Sequence, residues 1–161
     1  MDLAQFGMTR RPFRATPDIQ RCSNVSSQEA AFQALRYAFN QRAGLALLDG
    51  APGLGKTFLA HRFLHSLPAS TNRVLIPASR FSAPSDLFQA ILFDLGKSYG
   101  GMNETELRLT VSDHLLSGLN ADGPTVIVLD EAQHLNQEIL EEIRLLGNLE
   151  NRDSKAAFVL L

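Results

Sequence analysis

Thr125-Val126-Ile127-Val128-Leu129 is a run of β-branched and apolar residues with none of the polar alternation of a half-solvated strand. A strand buried on both faces reads this way, and such strands belong to parallel sheets covered by helices on either side. The chain is therefore expected to be α/β. The run ends on Asp130-Glu131. Two adjacent carboxylates at the end of a buried strand are costly unless something compensates, and a bound cation with its activated water would do so.

The second constraint is Gly50-Ala51-Pro52-Gly53-Leu54-Gly55-Lys56-Thr57, which fits G-x-x-x-x-G-K-[ST]. The apolar segment Leu45-Ala46-Leu47-Leu48-Asp49 precedes it, and a helical pattern from Phe58 to Leu67 follows, with Leu59, Phe63 and Leu67 four apart. Strand, glycine loop and helix in that order are the context a phosphate-binding loop requires. Gly50, Gly53 and Gly55 let successive N–H groups turn inward around phosphate oxygens. The helix that starts there adds unpaired N–H groups and the positive end of its dipole. Pro52 stiffens the loop. Lys56 is expected to reach the β and γ phosphates of ATP, and Thr57 to place its hydroxyl on Mg2+. The nucleotide-contacting residues are accordingly Gly50, Ala51, Pro52, Gly53, Leu54, Gly55, Lys56, Thr57 and Phe58. Asp130 is expected to hold Mg2+ with Thr57, and Glu131 to act as base toward the attacking water, so that Glu131 and Lys56 are the catalytic residues.

At 161 residues and 45% apolar, the chain is long enough for one core and short for two domains. A net charge of -2 and a pI near 6.1 offer nucleic acid no global basic field, although a local patch stays open. Cys22 is the single cysteine, which excludes an internal disulfide and suits a reducing compartment. No apolar run nears the roughly 18 residues of a membrane span. The start, Met1-Asp2-Leu3-Ala4-Gln5, is not a basic leader. A cytoplasmic location is expected.

Two segments follow from the breaks in periodicity: an N-terminal arm, 1–25, and a core, 26–161. In the arm, Pro12 and Pro17 interrupt any helix, and Arg10, Arg11, Arg14 and Arg21 are spread among Phe6 and Phe13. The aromatic residues suit either lining a nucleotide base or packing on the surface. Ser26 to Glu29 is a capping-box pattern, and Ala31, Leu35, Ala38 and Phe39 continue a helix of about 13 residues. Arg73 to Pro77 reads as a second strand. Ser85 starts a helix with Leu87, Ile91, Leu92 and Leu95 on one face and Gly96 past its end. Asn103 and Glu106 cap another, carrying Leu107, Val111, Leu115 and Leu119 and closed by Asp122-Gly123. Ala132 to Leu149 is mostly helical, with Ile139, Leu140, Ile143 and Leu146 inward and Glu138, Glu141 and Glu142 solvated. Asn151 to Lys155 is a polar turn, and Ala156 to Leu161 a last strand.

These motifs resemble the AAA+ branch of P-loop ATPases, and within it the general secretion pathway protein A family with its exosortase-associated relatives. The likeness rests on Phe6-Gly7-Met8, Pro12-Phe13 and Thr16-Pro17-Asp18 in the arm and Leu35-Arg36-Tyr37-Ala38 in the first helix. It is most specific in Asp130-Glu131-Ala132-Gln133-His134-Leu135, similar to the family's Walker B segment, and in Glu142 to Glu150 after it. The resemblance implies a three-layer P-loop NTPase with strand order 5-1-4-3-2, Phe158 to Leu161 lying between strands one and three. It also implies a continuation with a polar sensor, a fifth strand, a helical lid and an arginine finger, so the chain is expected to be truncated before them. His134 stands where the family often has Asn; a polar residue at a helix start accounts for it. Arg144 and Asn148 are open to two readings, a relay of nucleotide state or a helix surface.

The resemblance implies an ATP-hydrolysing core that drives or gates assembly of a protein complex, as in type II secretion. The full-length protein is then expected to form a homo-oligomer and to be anchored at the inner membrane through a segment outside this chain. A DNA-transposition accessory ATPase is the rival, with Arg10, Arg11 and Arg14 as its DNA contact. A small-molecule kinase fits less well, because Glu131 directly after Asp130 suits activation of water.

Overall fold

The computed structural model describes residues 26–151 and 154–161. The arm, with Phe6, Phe13, its arginines and Cys22, lies outside the described residues. The core opens with α1 (Ser26–Asn40), β1 (Leu45–Ala46), α2 (Lys56–Ser66) and β2 (Arg73–Ile76). It continues through α3 (Pro84–Asp94), α4 (Glu104–Asp122), β3 (Thr125–Leu129), a 3-10 turn (Ala132–His134) and α5 (Gln137–Asn148). A small hairpin, β4 (Glu150–Asn151) and β5 (Ser154–Lys155), leads into β6 (Ala157–Leu160).

β3 is buried at all five positions, as its composition requires. Its alternate side chains serve opposite cores, because successive residues of a strand point to opposite faces. Ile127 and Leu129 join Leu87, Phe88, Ile91, Leu107, Val111, Ile139 and Ile143 beneath α3, α4 and α5. Val126 and Val128 join Phe32, Leu35, Leu59, Phe63 and Leu64 beneath α1 and α2. The result is three layers around a parallel sheet of order β1-β6-β3-β2. β6 lies between β1 and β3, with Leu45 opposite Val159 and Val126 opposite Phe158. The expected place for Phe158 to Leu161 is therefore correct. Phe158 also fills the α1–α2 side, its ring 5.6 Å from Phe39 and 5.7 Å from Phe63. Burying Phe63 completely contributes about 2–3 kcal/mol.

Local chemistry sets the element ends. Asn103 and Glu106 form the expected reciprocal cap of α4, at 3.0 and 2.8 Å, and Gly123 takes a φ of 87° just past that helix. α3 starts at Pro84, one residue earlier than expected. The Asp86 carboxylate accepts from the N–H groups of Ser82 (2.8 Å) and Ala83 (3.2 Å), so the cap comes from within the first turn. Asn136 caps α5 by accepting from Ile139 N–H at 2.9 Å, and the helix proper begins only at Gln137. Arg73 donates to the carbonyls of Leu67 and Pro68 at the C-terminal end of α2, where its charge also meets the negative end of the dipole.

The structure departs from several expectations. The Glu29 carboxylate, expected at a capping box, accepts from Gln33 and, across to α2, from Arg62 at 2.7 Å. Glu142 is buried, ion-paired to Arg108 of α4. Leu140 is 41% exposed and turns away from the core toward the glycine loop. Only Leu45–Ala46 of the first apolar segment is regular strand, and Leu47 is 71% exposed, because β1 is the outer strand of the described sheet. Around the polar turn expected over Asn151 to Lys155, Glu150 pairs antiparallel with Lys155 and Asn151 with Ser154.

Candidate nucleotide site

β1 and β3 deliver the glycine loop and the two carboxylates to the same, C-terminal edge of the sheet. The backbone of Asp130 is pinned there on both sides: its N–H donates to Ile76 at 3.0 Å and its carbonyl accepts from Ser79 N–H at 3.2 Å. Across the edge, Thr57 Oγ1 donates to Asp130 Oδ2 at 2.6 Å. The other carboxylate oxygen, Oδ1, accepts from Glu131 N–H at 2.9 Å, which sets the plane of the group.

The loop is held by its own side chains. Gly53 and Gly55 both have a φ of 84°, the left-handed conformation that a Cβ resists. Lys56 Nζ donates to the carbonyls of Gly50 (2.7 Å) and Ala51 (3.3 Å), which places its ammonium inside the curve of the loop. Asp49 Oδ1 accepts from Gly50 N–H at 2.7 Å. Gln28 of α1 reaches over to donate to the Leu54 carbonyl at 3.0 Å, tying the loop tip to the neighbouring helix.

Gly50, Pro52, Gly53, Gly55, Lys56 and Thr57 line a cleft of about 900 Å3 together with Asp130 and Glu131. Ala51, Leu54 and Phe58 do not line it; Leu54 is 59% exposed and takes part through its backbone, its N–H donating to Ala51 and its carbonyl accepting from Gln28. His134 is also outside the lining and fully on the surface side of its turn, in keeping with a polar helix-start residue. Arg144 is bound to Glu141 on the surface of α5, which accounts for it without a relay. A second cavity of about 660 Å3 lies at the opposite end of the strands, between Phe39, Arg42, Pro124 and Lys155. Ligands of open parallel sheets bind outside the carboxyl ends of the strands, so the cleft at the glycine loop is the candidate site.

The donor set there suits a hard cation. Thr57 and Asp130 offer a hydroxyl and a carboxylate side by side, and Mg2+ takes oxygen ligands, one or two from protein and the rest from phosphate and water. No group of three or more His, Cys, Asp or Glu is close enough to hold a metal by itself among the described residues. Glu131, exposed beside Asp130, has a φ of 59°, unusual for a residue with a side chain. Sequence reasoning assigned no role to Gln28, Asp49 or Gln133. Gln133 stands two residues after Glu131, and its side-chain Nε2 donates to Glu131 Oε2; Gln28 has no signal in the sequence, since its partner is 26 residues away.

No helix among the described residues is long and apolar enough to cross a membrane. Comparison with known proteins agrees with the geometry. Residues 38–161 match the family model described as AAA domain. The chain is 33% identical over 159 residues to the general secretion pathway protein A of Aeromonas hydrophila, covering 97% of this chain and 28% of that protein. It thus spans little more than a quarter of the curated relative's length. Its fold is similar to the solved structure of the Aeropyrum pernix ORC2 protein in ADPNP-ADP complexes, with a TM-score of 0.55, 17% identity, and coverage of 84% of this chain and 39% of that one. With a three-layer α/β core, its glycine loop and paired carboxylates on one sheet edge, and a family match over residues 38–161, the chain belongs to the AAA domain family of P-loop ATPases.

Proposed function

We propose that this chain is the nucleotide-binding core of a Mg2+-dependent ATPase, comprising an arm, 1–25, and a catalytic unit, 26–161. The observation that carries the reading is the 2.6 Å contact of Thr57 with Asp130, 73 residues apart in sequence. When bound, Mg2+ would neutralise charge on the β and γ phosphates, with Thr57 and Asp130 as its protein ligands. Lys56 would exchange the Gly50 and Ala51 carbonyls for phosphate oxygens, and the N–H groups of the loop and of the first turn of α2 would be donors to the phosphate chain. Glu131 takes a proton from the attacking water as its oxygen bonds to the γ phosphorus and the bond to ADP breaks.

ATP turnover in this reading drives or gates assembly of a protein complex. The similarity to a protein named for the general secretion pathway supports that role; in the same reading the full-length protein acts as a homo-oligomer. The DNA-transposition alternative depends on arginines of the arm, outside the described residues, and no described feature favours it.

Calorimetry with Mg2+ and ATP tests the site on the parent and Lys56→Ala, with phosphate release measured beside them for Glu131→Gln. Binding by the parent, none by Lys56→Ala, and binding without normal phosphate release by Glu131→Gln are expected. A folded parent that ignores ATP would overturn the reading.

A further inference from the structure

Glu131 is held by a second residue that the proposed chemistry does not yet use. Its Oε2 accepts from Gln133 Nε2, and among the described residues no other side chain bonds this carboxylate. The pairing spans one tight turn: His134 N–H donates to the Glu131 carbonyl at 3.1 Å and Leu135 N–H to Ala132 at 3.0 Å. Leu135, 9% exposed, anchors the turn in the core under α3, α4 and α5. Both Glu131 and Gln133 line the nucleotide cleft, so the contact keeps the carboxylate inside it.

We infer that Gln133 is a positioning residue for Glu131, an inference that rests on the ATPase reading above. An exposed glutamate samples several rotamers, and ordering it before the reaction removes that entropy from the barrier. The amide suits the task because it is a neutral donor. It occupies one carboxylate oxygen while the charge stays on the group, and the other oxygen remains to accept the proton of water. In the step itself, the water O–H bond breaks toward Glu131, the oxygen bonds to the γ phosphorus, and ADP leaves with the electrons of the broken P–O bond. The proton then passes from the carboxylic acid to solvent or phosphate. Gln133 keeps its own protons throughout.

Gln133→Met retains the length of the side chain and deletes the donor. Steady-state ATP hydrolysis is expected to show kcat lower by about tenfold, with KM for ATP and Tm unchanged. In a Glu131→Gln background the same change is expected to add no further loss, because the two residues act as one unit. A side-chain amide proton of Gln133 is expected to exchange slowly in NMR and to shift on Glu131→Ala, with or without turnover. An unchanged kcat in Gln133→Met overturns the inference. So does a raised kcat, which makes the amide a restraint on Glu131, and so does a raised KM, which makes it a nucleotide contact. Failure of the ATPase reading is separately visible as equal phosphate release by the parent and Glu131→Gln.

Discussion

Gly44 and Gly147 pack backbone against backbone: a Cβ placed on Gly44 would lie 1.8 Å from the carbonyl oxygen of Gly147. The contact joins the entry of β1, which leads into the glycine loop, to the end of α5, the helix that follows Asp130 and Glu131. Neither residue has a left-handed φ, so the requirement for glycine here is one of space. Gly44→Ala is expected to destabilise the fold by about 3 kcal/mol, because the obstacle is backbone that cannot rotate aside. Gly147→Ala should cost less, its added Cβ meeting Gly44 at 2.8 Å. Urea denaturation would order the two; equal midpoints for the parent and Gly44→Ala would show that the contact opens freely.

Glu131 combines an exposed side chain with a left-handed backbone at φ 59° and ψ 38°. Glycine relieves that conformation and alanine does not, so Glu131→Gly is expected to be more stable than Glu131→Ala by about 1 kcal/mol. Both are expected to lose phosphate release. Thermal unfolding of the pair checks the first statement, and the reverse order would mean that the backbone at this position is not left-handed in solution.

The Arg108–Glu142 pair ties α4 to α5, with the acid 8% exposed and the Arg108 guanidinium 5.7 Å from the centre of the Phe88 ring. Arg108→Ala leaves a buried carboxylate without its partner. Because Arg108 is 44% exposed and water can reach the gap, the expected loss is about 1–2 kcal/mol, below that of a fully buried pair. Replacing both residues, Arg108→Met with Glu142→Leu, should restore most of it. A double variant weaker than Arg108→Ala in chemical denaturation would show that the pair is worth more than an apolar contact.

Glu29 has its carboxyl held below the usual range, first by the hydrogen bond from Gln33 and then by Arg62. A carboxyl depressed in the folded state adds stability above its unfolded value near 4.5 and loses it as the pH falls through the folded value. The α1–α2 contact should therefore weaken below about pH 4.5, and Glu29→Gln should flatten that part of the stability profile. Tm measured between neutral pH and pH 3 for the two proteins gives the answer; parallel curves would remove Glu29 from the acid response.

Much of the architecture was legible because it is written in local patterns. The β-branched run at Thr125–Leu129 demands two covered faces, and Asn103 with Glu106 carries its cap within one turn. Lys56, Thr57, Asp130 and Glu131, singled out because phosphate chemistry restricts residue type and spacing tightly, line one cleft. Glu142 and Leu140 were misread for one shared reason: helical periodicity tells which residues share a face, not what stands opposite. Arg108 opposite Glu142 makes an acid tolerable inside, and the glycine loop opposite Leu140 gives a leucine a place outside the core.

The sequence by itself determined the element types and the parallel sheet, and it singled out the glycine loop and the paired carboxylates as the candidate site, since each follows from periodicity or from residue chemistry over a few positions. Tertiary structure alone decided that Thr57 meets Asp130 at 2.6 Å, that Gln28 clamps Leu54, and that Gly44 must lack a side chain. Those facts arise where segments far apart in the chain approach within hydrogen-bonding or van der Waals distance. Such approaches depend on the order of strands in the sheet and on helix packing across it.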